Sequence, residues 1–183
     1  MTHDEAIALI EGAVTTPGGM WADLGAGAGT FSRALASLLG PGGVVYAVDR
    51  DAAAVRELER ALTRGGASDA AEVRPSVGDF ATGLALPELD GVVVANALHF
   101  VPYERQAPVL ERIAGLAGPG CPIVVVEYER RRANRWVPYP IDRSALAAVA
   151  REAGLSAPVL LATRPSRYSG ILYAAVVRRE PAR

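Results

Sequence analysis

The chain has 183 residues, half of them hydrophobic, and a formal net charge of −1. That length suits one domain with a full core, 1–183, and a charge so near zero argues against nucleic acid or a membrane surface as partner. All 19 basic residues are arginine, which excludes lysine Schiff-base and Walker-type chemistry, and one cysteine excludes an internal disulfide or a multi-cysteine metal site.

That cysteine, Cys121, precedes an apolar run and reads as a small buried residue rather than a reactive thiol. No metal site is predicted. No apolar run approaches the roughly 18 residues of a membrane span. The first residues, MTHDEAIALIEGAV, lack the basic region and cleavage site of a signal peptide, so the expected compartment is the cytoplasm. Alanine, glycine, arginine and proline are abundant together, a bias that lowers the weight any single arginine deserves.

Thr2-His3-Asp4-Glu5 has capping-box spacing, and Ala6, Ile7, Ile10, Ala13 and Val14 follow at helical intervals. A short leading helix is expected to end near Gly12 to Thr15, before the turn Pro17-Gly18-Gly19. Residues 20–39, MWADLGAGAGTFSRALASLL, then open as a buried strand, pass through Gly25, Gly27 and Gly29, and continue as a helix. Phe31, Ala34, Leu35 and Leu38 form its apolar face. Alternate glycines let a ligand lie against bare backbone, and the helix start offers it free N–H groups. The stretch reads as a turn for a nucleotide-like ligand. The dinucleotide fingerprint G-x-G-x-x-G, counted from Gly25, would need glycine where the chain has Thr30. Asp23, two residues before the first glycine, suits a cationic ligand better than a pyrophosphate.

Gly40-Pro41-Gly42-Gly43 stops that helix, and 44–48 is a second strand closed by Asp49. Asp51 caps a helix carrying Val55, Leu58, Ala61 and Leu62, which Gly65-Gly66 ends. A weaker strand, 72–77, closes on Gly78-Asp79-Phe80. The fourth strand, 89–95, leads into Asn96-Ala97-Leu98-His99-Phe100 and a helix over about 103–117 with Val109, Ile113 and Leu116 inward. A fifth strand, 123–126, ends at Glu127. The segment 130–140 is irregular; Asp142 then caps a helix with Leu146, Val149 and Ala150 inward and Gly154 at its end. Runs 159–163 and 171–177 flank Pro165-Ser166-Arg167-Tyr168-Ser169-Gly170 as an antiparallel hairpin.

Strand and helix alternate five times before the last helix and hairpin. This predicts an α/β fold: a doubly wound, mostly parallel, seven-stranded sheet with helices on both faces and an antiparallel C-terminal hairpin strand. Ligands on such sheets bind outside the carboxyl ends of the strands. Asp23, Asp49, Asp79, Asn96 and Glu127 close five consecutive strands there. Helix capping would account for any one of them and poorly for all five.

Together these motifs resemble the class I S-adenosylmethionine-dependent methyltransferases over nearly the whole chain. The family's first motif is matched by Asp23-Leu24-Gly25-Ala26-Gly27-Ala28-Gly29. The resemblance implies that Gly25, Ala26 and Gly27 hold the methionine end of S-adenosyl-L-methionine and that Asp23 helps to orient it. Asp49 matches the acid that binds the ribose hydroxyls, with Arg50 beside it, and stands 20 residues past Gly29, a spacing ribose binding also asks for in dinucleotide folds. Asp79-Phe80 matches the pair at the adenine. Asn96 opens the segment that borders the methionine amino group and the substrate. The closing hairpin matches the family's antiparallel seventh strand. The implied reaction is in-line transfer of the methyl group to a small-molecule acceptor. Two alternatives stand beside it: a nicotinamide-dependent reductase, which must ignore Thr30 and Asp79 and has no lysine for a Tyr-x-x-x-Lys pair, and a non-catalytic S-adenosylmethionine-binding protein.

The amino-methylating branch of the superfamily carries Asn/Asp-Pro-Pro-Tyr where this chain has Asn96-Ala97-Leu98-His99, which speaks against a nucleic-acid substrate. His99 is the candidate catalytic base, since histidine titrates near neutral pH, and Glu127 is the candidate to orient its ring or hold a cationic group of the acceptor. The competing reading leaves His99 packing over the cofactor or bound to a carbonyl. Arg130, Arg131, Arg132 and Arg135 read as a solvated face, with one or two available to an anionic substrate. Trp136 and Tyr139 line a substrate wall or simply pack. With no long insertion, the acceptor pocket is expected to be shallow unless a second subunit or the N-terminal helix covers it.

Overall fold

Alternation along the central strands assigns side chains to two layers. Val92 and Val94 pack with Leu98, Leu110, Ile113 and Leu146, while Val93 and Ala95 pack with Ile10, Leu35 and Leu39. Ile123 and Val125 join the first layer, Val124 and Val126 the second. A strand buried on both faces reads as a continuous apolar run, because period-two geometry sends its neighbours to opposite sides.

The computed structural model describes residues 1–64, 69–166 and 170–179. Its elements are α1 (His3–Ile10), β1 (Met20–Leu24), α2 (Thr30–Leu39), β2 (Val44–Asp49), α3 (Ala52–Arg64), β3 (Glu72–Val77), β4 (Gly91–Ala95), α4 (Tyr103–Ala114), β5 (Pro122–Tyr128), α5 (Arg143–Glu152), β6 (Val159–Pro165) and β7 (Ile171–Arg178). The seven strands form one sheet in the order β3-β2-β1-β4-β5-β7-β6. The first five are parallel, and β7 inserts antiparallel between β5 and β6. α4 and α5 cover one face, α1 and α2 the other. The expected doubly wound sheet is therefore present. From β1 the chain winds outward to β3 and returns to β4 on the other side, which leaves a crevice beyond the ends of β1 and β4.

Local chemistry accounts for the boundaries. At α1 the Glu5 N–H donates to Thr2 Oγ1 at 3.2 Å and the Thr2 N–H to Glu5 Oε2 at 2.6 Å, a closed capping box. The Asp51 side chain accepts the Ala53 N–H at 2.8 Å at the start of α3, and Asp142 accepts the Ala145 N–H at 2.7 Å at the start of α5. Pro75 sits in β3, where an edge strand tolerates a missing donor.

Several expected boundaries move. α4 ends at Ala114, three residues early, because Ala117 turns away to bridge Leu89 beside the sheet. β5 runs through Glu127 to Tyr128, since β7 pairs along that whole length, with Glu127 opposite Tyr173. Leu39 takes the buried place expected of Leu38, and Val149 is half-buried. Cys121 is half-buried rather than enclosed; partial burial, then the charges of Asp90 and Glu88, push its thiol pKa up. Gly65-Gly66 and Arg167-Tyr168-Ser169 lie outside the described residues. Among those described, no helix is long and apolar enough to cross a membrane.

Candidate active site

The turn after β1 bends through Gly25, Gly27 and Gly29, all at positive φ. Gly25 permits a close approach: a Cβ there would stand 2.5 Å from the Ala97 Cβ. The turn is tied to β2 twice. The Gly25 N–H donates to the Val48 carbonyl at 2.8 Å, and the Gly27 N–H to Asp49 Oδ2 at 2.8 Å. The other Asp49 oxygen accepts the Asp51 N–H at 2.8 Å, so the carboxylate is held at the mouth of the crevice. Asp79 Oδ1 accepts the Ala81 N–H at 2.8 Å and stays in place after β3.

These pieces surround a hollow of about 230 Å³. Gly25, Asp49, Arg50, Asp79, Phe80 and Asn96 line it, as their places in the sequence led us to expect. Phe100, from the segment 96–100 expected to border the ligand, lines it too, as do Arg105 and Pro102, which no motif announced. Ala26 and Gly27 belong to the turn and do not line the hollow, and Gly27 spends its N–H on Asp49.

Asp23 lies beneath the turn, 1% exposed, on the face of β1 that meets α2. The Ser32 hydroxyl donates to its Oδ2 at 2.6 Å, while Oδ1 has no hydrogen-bond partner among the described residues. Burial pushes its pKa from 3.8 up to about 6, against the pull of the Ser32 hydrogen bonds and with a smaller push from Asp49. The folded chain thus keeps a proton that the unfolded chain has lost. Stability from Asp23 is complete below 3.8 and disappears as pH rises through about 6. Asp23→Asn, which cannot ionise, should remove this component. The wild-type loss of melting temperature from about pH 4 to about pH 7, without ligand, should exceed that of the variant.

Asn96 follows β4 at a φ of 52°, a left-handed conformation that asparagine tolerates better than most residues. Its N–H donates to the Val126 carbonyl at 2.8 Å, and its Oδ1 is buried without a partner among the described residues. A 3₁₀ turn, Leu98–Phe100, then carries His99 inward. The His99 Nδ1 lies 2.7 Å from Glu127 Oε2, and the His99 N–H donates to Glu127 Oε1 at 3.1 Å. Both side chains are buried, at 2% and 0% exposure. A carboxylate against Nδ1 places the ring proton there, leaving Nε2 as the nitrogen able to take a proton.

His99 lines a second hollow of about 490 Å³, which adjoins the first and shares Asn96 and Phe100 with it. Its far wall is the irregular segment 130–140, through Arg130, Asn134, Trp136 and Val137. Asn134 Oδ1 accepts the N–H groups of Trp136 and Val137 at 2.9 and 2.7 Å. The Tyr139 N–H donates to the His99 carbonyl at 3.0 Å, and buried Gln106 donates to the Val101 and Tyr139 carbonyls. The expected shallow pocket is thus walled by this chain's own loop. Trp136 lines it; Tyr139 instead packs edge-on against Tyr103. The start of α1 reaches the same region, since Met1 and Glu5 border a smaller hollow with Asn96 and Tyr128. Arg131, Arg132 and Arg135 are exposed, and Arg130, Arg131 and Arg132 border one open hollow beside Ile171; Arg131 also pairs with Asp142 at 2.8 Å, Arg135 covers the Trp136 ring at 4.9 Å, and Arg130 lines the hollow that holds His99.

The sequence matches a family model described as a methyltransferase domain over residues 22–123, from β1 into β5. The chain belongs to the class I S-adenosylmethionine-dependent methyltransferases. That membership sets aside the nicotinamide-dependent reductase. Among solved structures, this methyltransferase resembles the mitomycin 7-O-methyltransferase MmcR with a TM-score of 0.70 and 22% identity, covering 97% of this chain and 53% of that one. It therefore spans about half the length of MmcR. Magnesium protoporphyrin IX methyltransferase from Synechocystis PCC 6803, solved with bound S-adenosylmethionine, aligns at a TM-score of 0.69 and 17% identity, over 97% of this chain and 78% of that one. A TehB-like methyltransferase from Corynebacterium glutamicum ATCC 13032 aligns at 0.68 and 21%, over 96% and 88%. At these identities the likeness is one of fold. No curated protein matches the methyltransferase in sequence.

Proposed function

We propose that this methyltransferase moves the methyl group of S-adenosylmethionine onto a small molecule held in the second hollow. The adjoining hollows with shared walls at Asn96 and Phe100 carry this reading, because methyl transfer needs donor and acceptor side by side with water kept out.

The residues of the first hollow fit the donor. Asp49 and Asp79 keep acceptor capacity beyond the one backbone bond made by each bonded oxygen, which suits ribose hydroxyls and an adenine amino group. Phe80 and Arg50 flank them. The Asn96 Oδ1, buried without a partner among the described residues on a residue that lines this hollow, suits an ammonium. The Gly25 turn, with no room for a Cβ, leaves its backbone open to the methionine end. When bound, S-adenosylmethionine supplies a methyl group activated by a positively charged sulfur. His99 takes the acceptor's proton at Nε2, and Glu127 holds the ring by Nδ1.

Two structural relatives named above are named for small-molecule acceptors, mitomycin and magnesium protoporphyrin IX, which supports the same class here. Calorimetry with S-adenosylmethionine, S-adenosylhomocysteine and NADH should show saturable binding of the first two and none of the third. Absence of S-adenosylmethionine binding would overturn the reading. Tight RNA binding that weakens steeply with salt, and disappears when Arg130, Arg131 and Arg132 become alanine, would move the acceptor to nucleic acid.

A further inference from the structure

We propose that the acceptor is a planar aromatic molecule bearing both a hydroxyl and an anionic substituent, the hydroxyl being methylated. This rests on reading the second hollow as the acceptor site. Three aromatic side chains, Phe100, Tyr128 and Trp136, line that hollow together with Val137. Such walls favour a flat, polarisable ligand over a flexible polar one. Arg135 already covers the Trp136 ring at 4.9 Å, which braces a residue that is 69% exposed. A large exposed aromatic held in place beside a cavity is costly to leave in water and useful against a ring.

Arg130 supplies the second feature. Among the described residues it is the one arginine or carboxylate lining the hollow, and it forms no ion pair. Arg131 pairs with Asp142, and Glu129 is taken by Arg143. The Arg130 Nε donates to the Arg132 carbonyl at 2.9 Å, which anchors the guanidinium and leaves its terminal N–H groups available. A guanidinium so placed recognises a carboxylate by charge-assisted hydrogen bonds.

His99 supplies the third, at the inner end of the hollow with Nε2 able to take a proton. The phenolic oxygen forms its bond to the methyl carbon as the carbon–sulfur bond of the donor breaks, the bonding pair staying on sulfur as a neutral thioether. The phenolic proton passes to His99 Nε2 and then to water. Positive charge on the sulfonium is thus replaced by the released proton, and no oxidant or reductant is required.

The test uses intrinsic fluorescence, because Trp21 is 4% exposed and Trp136 is the tryptophan at the hollow. Ortho-, meta- and para-hydroxybenzoates and hydroxycinnamates, their methyl esters, and hydroxycyclohexane carboxylates are titrated into the protein saturated with S-adenosylhomocysteine. At least one aromatic acid should quench saturably, the quench should vanish in Trp136→Phe, and the ester and the saturated acid should bind more weakly. Arg130→Met should weaken the acid roughly 10–100-fold and leave the ester unchanged. The same acid, supplied with S-adenosylmethionine, should yield its methyl ether. If no aromatic acid binds, if ester and acid bind alike, or if the bound acid is not methylated, the acceptor class is wrong. Calorimetric binding of S-adenosylmethionine, measured in parallel, separates that outcome from failure of the methyltransferase reading itself.

Discussion

Replacing His99 with asparagine is expected to lower turnover roughly 10²–10⁴-fold with S-adenosylmethionine affinity intact. Asparagine keeps a polar side chain near Glu127 but removes the ring nitrogen proposed to take the acceptor's proton. The Glu127 carboxylate would still accept the His99-position backbone N–H, now at 3.1 Å, so the strand end and its neighbour Asn96 should hold. Loss of the buried ring contact, at 2.7 Å in the wild type, should also lower the melting temperature somewhat. Turnover and cofactor affinity must therefore be measured on the same preparation. Glu127→Gln makes the complementary case. It keeps the shape and removes the charge that fixes the ring proton on Nδ1, so turnover should fall without loss of acceptor binding. Unchanged turnover in His99→Asn, on any acceptor found, would leave alignment as the whole of the catalysis.

Asp49→Ala should weaken S-adenosylmethionine binding by roughly tenfold to a hundredfold, the loss of a hydrogen bond to a charged acceptor. The geometry places this residue at two jobs. It holds the Gly27 and Asp51 N–H groups at 2.8 Å each, and it lines the hollow where the ribose hydroxyls are proposed to lie. Alanine abolishes both, so the glycine turn loosens as the ligand's acceptor disappears. Asp49→Asn keeps one acceptor oxygen and should fall between the two. Calorimetry on the three proteins gives the ranking, and wild-type affinity in Asp49→Ala would remove Asp49 from the binding site.

Much of the first hollow, the proposed cofactor site, was legible because each residue sits at the end of its own strand. Five apolar runs each closed by a polar residue can only present those residues at one edge of a parallel sheet, and Asp49, Asp79 and Asn96 meet there. Asp23 shows the limit of that reasoning. Strand alternation turns it toward α2 and beneath the turn, so it stands below the hollow and not on its wall, with the pKa shift that burial brings. Arg105, on the first turn of α4, reaches the same hollow with no motif to mark it.

By itself the chain's order of residues determined the alternation of strands and helices, the glycine turn, the sheet's handed winding and the edge at which a ligand binds. These follow from local periodicity and from the few connections a parallel sheet permits. Tertiary structure alone decided the second hollow, the proposed acceptor site. His99 and Glu127 are 28 residues apart and come within 2.7 Å only because β4 and β5 are neighbours. The segment 130–140 has no periodicity to read. Tyr139 and Gln106 pin it to the turn after β4, and long-range hydrogen bonds of that kind leave no spacing in the sequence.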